Sequence, residues 1–165
     1  MFIHKFIELP SFDLLGFTQV VQSGGELFEV VWSDGRWEQL KQLADSDKSI
    51  YGVASLDRAC PKGYYRYTLA VLKPADKAIE NTSSIEVDAA GDQLFSFHVK
   101  QSKWVAFTLE HFTRQYGEFW QQDPYKMIER LGFSYNKSLS IHIDVYPETY
   151  TAENDRMEFW MPVRG

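Results

Sequence analysis

One cysteine, Cys60, stands in 165 residues, so no disulfide can close within the chain. No Cys and His spacing matches a zinc site, and no metal or cofactor is expected. Basic residues are in the minority: 17 Lys and Arg against 23 Asp and Glu leave a formal net charge of -6. Phosphate backbones are bound by clustered cations, so direct nucleic-acid binding is not expected. The densest basic grouping, Lys100 to Lys103, reads as a turn. Long apolar runs are missing too. The opening "MFIHKFIELP" is broken by His4 and Lys5, which fits neither a signal peptide nor a membrane span. These absences lead to the expectation of a soluble cytoplasmic protein.

Aromatic side chains are plentiful. Five Trp, nine Tyr and twelve Phe make 16% of the chain, more ring surface than a core of this size requires, so some rings are expected to line a cavity.

Strand-like runs "FIHKFIEL" and "FDLLGFTQVV" are divided by Pro10, whose fixed φ and missing N–H suit a break. Phe28, Val31, Trp32, Trp37, Leu40 and Leu43 then fall on one helical stripe, with "SDG" at 33–35 kinking or dividing it. "SIYGVASL" and "YYRYTLAVLK" read as strands. A polar connector with a possible short strand at "SIEV" follows. "LFSFHV" and "WVAFTL", separated by "KQSK", read as a hairpin. A second helical stripe runs through Phe112, Tyr116, Phe119, Trp120, Met127, Ile128 and Leu131, with Asp123-Pro124 as an N-cap and Gly132 as a stop. "LSIHIDVYP" and "RMEFWMPVR" close the chain as strands.

The order strand, helix, strand, strand thus occurs twice. The pattern predicts an α+β fold of two duplicated halves, 1–75 and 94–165, joined by a connector at 76–93. Overlaying the last hairpins sets "SIYGVASL" on "SIHIDVYP", Arg66 on Arg156, Thr68 on Glu158 and Ala70 on Trp160.

Period-two alternation sends Met157, Phe159 and Met161 to one face of the final strand and Glu158 and Trp160 to the other. A carboxylate beside an indole is a receptor for a delocalised cation; the alternative is a Glu158 paired with Arg156 or Arg66 and a Trp160 that packs. His142 and Asp144 share a strand face, where they could form a general base with its orienting carboxylate or a solvated cross-strand pair. Tyr51, Tyr65 and Tyr67 cluster on the first-half hairpin, and Trp32, Trp37, Phe119 and Trp120 read as core.

Together, "FIELPSFDLLGFTQV", "YGVASLDRACPKGYYRYTLAVL", "KWVAFTLEHF…FW" and "IHIDVYP…RMEFWMPV" resemble the GyrI-like, or effector-binding, domain family, which includes the ligand-sensing portions of Rob- and BmrR-type regulators. The resemblance implies pseudo-twofold halves, an antiparallel sheet with helices on one side, and a concave aromatic cleft with a carboxylate at its base. The implied ligands are lipophilic or cationic organic compounds, and both halves being used by the repeat implies a stand-alone version without its own DNA-binding domain. On this basis the ligand-binding candidates are Glu158, Trp160, Trp104, Tyr67, Tyr51, His142 and Trp120. The family's "FEVYL"-like strand is replaced here by "IHIDVY", which changes its usual glutamate. The resemblance also leaves open a hydrolase using Glu158 or His142, and a protein-interaction module with gyrase or a regulator as partner.

Overall fold

The structure, a computed structural model, describes residues 2–56, 59–74 and 93–165. The connector expected at 76–93 falls almost wholly outside the described residues, as does the short strand expected within it.

Strand β1 (Ile3–Leu9) breaks at Pro10 before β2 (Phe12–Val21). A capping box starts helix α1 (Gly24–Ser33): Ser23 Oγ accepts from the Gly25 N–H at 3.3 Å, and Glu26 Oε2 accepts from the Ser23 N–H at 2.9 Å. Gly35, at φ 90°, lets the chain turn through a left-handed conformation into α2 (Arg36–Leu43), so "SDG" divides the stripe into two helices. Strands β3 (Ile50–Ser55) and β4 (Tyr65–Leu72) complete the first half. The second half comprises β5 (Phe95–Val99), β6 (Ser102–Leu109), α3 (Phe112–Gln121), α4 (Pro124–Arg130), the two-residue β7 (Ser134–Tyr135), β8 (Ile141–Tyr146) and β9 (Met157–Arg164). Asp123 Oδ1 accepts from the Tyr125 N–H at 3.0 Å, with Pro124 at the first helical position, as the sequence predicts.

All nine described strands form one antiparallel sheet, in the order β1-β6-β9-β8-β3-β4-β2-β5, with β7 on β9. "KQSK" does not close a hairpin. β5 pairs with β2 and β6 pairs with β1, so each half's opening strand extends the other half's edge. Local turn composition cannot register such an exchange, because both partners lie far away in sequence.

The helices cover one face of the sheet. Leu27, Val31, Trp37, Leu40, Phe119 and Ile128 pack there on Phe17, Leu69, Phe107 and Phe159. Trp32, expected in the core, lies 37% exposed on the rim, its ring 4.8 Å from that of Trp37. On the opposite face Leu14, Val53, Ala70, Trp104 and Ile143 form a second buried layer, to which no helix contributes among the described residues.

Cross-strand register locates the pseudo-twofold axis. Tyr51 opposes Ala70 in the first half and Ile143 opposes Trp160 in the second, which equates Gly52 with Asp144. These two oppose each other across the β3–β8 pair, so the axis runs between them. The overlay of "SIYG" on "SIHI" is therefore corrected by one residue. In a strand, one step of register exchanges the faces.

Candidate functional site

Two regions of the sheet combine hollows, aromatic rings and carboxylates, one on each face. On the helix side, a cavity of about 460 Å³ is bounded by Tyr65 and Ala54 of the first half and by Tyr116, Trp120 and His142 of the second. Tyr65 is held in place by the first turn of α1, its hydroxyl accepting from the Gly24 N–H at 2.6 Å. Tyr116 and Trp120, one turn apart on α3, present their rings 6.2 Å from each other.

Asp144 lies on the pseudo-axis and is 5% exposed. Its Oδ2 accepts from the Tyr67 hydroxyl at 2.8 Å, and the Tyr67 and Tyr146 hydroxyl oxygens are 3.5 Å apart. Oδ1 is buried and has no hydrogen-bond partner. Burial raises the Asp144 carboxyl to about 7, against the Tyr67 hydrogen bond, which favours the charged form. Burial raises Tyr65, Tyr67, Tyr116 and Tyr146, and the negative charge of Asp144 adds to the rise in each. A ring of phenols thus surrounds one carboxylate, with no cationic side chain of the described residues in that ring. Gly52 makes the geometry possible, because a Cβ there would collide with the Tyr67 hydroxyl.

His142 is two residues before Asp144 on the same face. Burial depresses its pKa to about 4, so the imidazole is neutral at neutral pH. Its ring lies 4.8 Å from Phe159 and 5.7 Å from Trp120. Nδ1 is buried without a partner. His142 and Asp144 do not orient each other, since Asp144 is bound by Tyr67, and neither occupies a solvated face. Trp120 Nε1 is also buried, approaching the Tyr116 hydroxyl without completing a well-aligned hydrogen bond.

The other face carries Glu158, Trp160, Trp104 and Tyr51. Trp160 Nε1 donates to Glu158 Oε1 at 2.9 Å, so the acid and the indole share a face as alternation predicts. Glu158 pairs with neither Arg156 nor Arg66 but with Lys5 Nζ of β1 at 3.1 Å; Arg156 reaches Glu110 at 3.4 Å. The Tyr51 hydroxyl donates to Asp47 Oδ2 at 2.8 Å. Tyr51 and Trp160, with ring centroids 5.9 Å apart, separate two hollows of about 290 and 280 Å³. Trp104 is fully buried behind them.

The seven sequence candidates therefore fall into two groups. Tyr67, His142 and Trp120 lie on the helix side, and Glu158, Trp160, Trp104 and Tyr51 on the other. Tyr116, Tyr65 and Asp144 complete the helix-side group. Their sequence signals were the α3 stripe for Tyr116, the first-half tyrosine cluster for Tyr65 and the face shared by His142 and Asp144 in "IHIDVY" for Asp144. Among the described residues no group of three His, Cys, Asp or Glu could hold a metal ion. No helix there is long and apolar enough to cross a membrane.

No family profile and no curated protein sequence matches the chain. Solved structures do. SAV2435 bound to tetraphenylphosphonium aligns at TM-score 0.70 and 18% identity, covering 99% of this chain and 94% of that one. A putative bacterial transcription regulation protein from Staphylococcus aureus MU50 aligns at TM-score 0.68 and 16% identity over 100% of both chains. The EcmrR C-terminal domain follows at TM-score 0.60 and 9% identity, covering 99% of this chain and 98% of that one. At such identities the likeness is one of fold, and the duplicated α+β architecture of this chain is shared with these bacterial proteins.

Proposed function

We propose that the protein is a small-molecule binding module of the GyrI-like type, which takes lipophilic organic cations into the helix-side cavity lined by Tyr65, Tyr116, Trp120 and His142, with the buried Asp144, whose charge Tyr65 and Tyr116 feel, as the counter-charge. The observation that carries this reading is a carboxylate buried on the pseudo-axis with phenols around it and one oxygen unpartnered. An isolated charge is costly to bury, and a ligand cation offsets that cost where water cannot compete. Rings of Tyr65, Tyr116 and Trp120 add cation–π attraction, about 0.5–2 kcal/mol per favourable contact. A cavity of about 460 Å³ is in the range of drug-sized sites. The tetraphenylphosphonium bound by the structurally similar SAV2435 supports the same ligand class.

Glu158 is the less suitable carboxylate, since it already accepts from Lys5 and Trp160. Tryptophan-fluorescence titration with tetraphenylphosphonium separates the two sites. Asp144→Asn is expected to weaken binding about tenfold or more, and Glu158→Gln by less than about twofold, in line with a charge-assisted contact made by only one of them. The reverse pattern would move the site to the other face, and no binding by the wild type would reject the reading.

A further inference from the structure

An open sheet edge is a template for another strand, and soluble proteins guard such edges with short strands, bulges, prolines or projecting charges. β1 forms one margin of this sheet: among the described residues it pairs with β6 alone, in an unbroken register from Ile3–Thr108 to Leu9–Ser102. Its seven residues include no proline. The lysine suited to guard the edge, Lys5, is turned to Glu158 of its own sheet at 3.1 Å. Apolar side chains stand out on both faces instead, Ile3 at 65% and Phe6 at 49% exposure. His4, Phe6 and Glu8 alternate on the helix side, where Phe6 stacks on Phe133 and the His4 ring lies 6.3 Å from that of Phe107. There His4 and Arg130 line one hollow of about 260 Å³. Ile3, Lys5, Ile7 and Leu9 take the other side, Ile7 and Leu9 packing on the layer that holds Trp104.

We propose that β1 is a self-association surface, which pairs antiparallel with β1 of a second copy about a twofold axis at Phe6 and so runs one sheet through both chains. Directly opposed residues of antiparallel strands share a face, so only registers that set odd against odd and even against even are open. Centring on Lys5 puts two lysines against each other, and centring on Ile7 puts Glu8 against the ring of Phe6. Both shorten the overlap. Centring on Phe6, the middle residue of β1, pairs the strand over its whole length. It sets ring on ring at the axis, Ile3 against Leu9 of the second copy, and His4 against Glu8 of the second copy at both ends. Charge favours this register: each Glu8 carboxylate arrives where the other chain presents His4 and Arg130. A contact of this kind uses the same patch on both copies and closes as a dimer.

Sedimentation equilibrium of the full chain, at concentrations up to about 200 μM to reach the weak range of small interfaces, is expected to show monomer and dimer only. Glu8 is exposed, so Glu8→Lys leaves the fold intact. It should weaken the dimer by about fivefold or more, since a like charge then faces His4 and Arg130 at both ends. Adding His4→Glu to the same chain should recover most of that loss. In a Cys60→Ser background, Phe6→Cys should cross-link under mild oxidation, because opposed Cα atoms stand about 4.5–5.5 Å apart, within disulfide reach. Lys5→Cys should not, because Ile7 is its opposite. A monomeric wild type, species larger than a dimer, a dimer indifferent to Glu8→Lys, or cross-linking at position 5 in place of position 6 would each overturn the inference.

Discussion

Tyr67 spans the centre of the sheet: its hydroxyl, carried by β4, crosses over Gly52 of β3 and donates to Asp144 Oδ2 of β8 at 2.8 Å. The contact joins the two halves across their pseudo-axis. In Tyr67→Phe the carboxyl loses its observed donor, so its pKa rises further above the ordinary range and the ionised protein is destabilised by about 1–3 kcal/mol. Urea unfolding at pH 8 measures this, and a loss below about 0.5 kcal/mol would contradict it.

Gly52→Ala should perturb the same contact from below. The added methyl would meet the Tyr67 hydroxyl and lie 2.7 Å from Tyr67 Cζ, so the ring has to move. A cost of about 1–3 kcal/mol is expected, as for other overpacked cores. Combining it with Tyr67→Phe should cost less than the sum, because both act on one contact. Strict additivity in the double mutant would argue that Gly52 acts elsewhere.

Asp144 and His142 oppose each other in their effect on acid stability. Burial raises Asp144 from 3.8 to about 7, so between those values the folded state keeps a proton the unfolded chain has released, and stability falls as pH rises. Burial lowers His142 from 6.5 to about 4, so there the unfolded chain holds the extra proton and stability rises with pH. Each slope is about 1.4 kcal/mol per pH unit, and from about pH 4 to 6.5 they cancel. The groups feeling the Asp144 charge are Tyr65, Tyr67, Tyr116, Tyr146 and Tyr150, all shifted upward and silent in this window. Asp144→Asn should therefore expose a stability that climbs with pH, and His142→Phe one that declines. Parallel pH–stability curves for the wild type and both variants would refute the assignment.

Helix α3, which carries Tyr116 and Trp120, is started by a residue from the far end of the chain. Asp155 Oδ2 accepts from the Thr113 N–H at 2.8 Å, and the Asp155 carbonyl accepts from the Phe112 N–H at 3.0 Å. Asp155→Ala removes the side-chain cap and should cost about 1 kcal/mol. Hydrogen bonds from Thr113 hold the Asp155 carboxyl below its ordinary pKa, so this contribution is present above about pH 4 and fades as pH falls. Thermal melts of the variant at pH 3 and pH 7 test both statements; an equal deficit at the two values would remove the charge from the account.

Much of this architecture was readable from local signals. "SDG" at 33–35, Asp123-Pro124 and Gly132 mark helix boundaries by backbone chemistry that acts within a few residues, and the Ser23–Glu26 capping box is a signal of the same kind that was passed over. Alternation correctly put Glu158 with Trp160, and Phe159 with Met157 and Met161. It could not say which of those faces the helices would cover, because period two is blind to what packs above the sheet. Alternation thus groups Glu158 with Trp160 without saying that the helices lie over the other face, the one that carries His142 and Asp144. The one-residue slip between β3 and β8 arose because Ser49-Ile50 and Ser140-Ile141 match in letters but point to opposite faces. Non-local pairing decided the rest: β5 joins β2 and β6 joins β1, whatever their separation in the chain suggested.

The reciprocal loan of β1 and β5 makes the lobes inseparable. A polypeptide ending at Pro74 would carry β1 with nothing to zip onto, and its β2 would expose a raw margin. Two copies of such a fragment could cure each other only by trading their first strands.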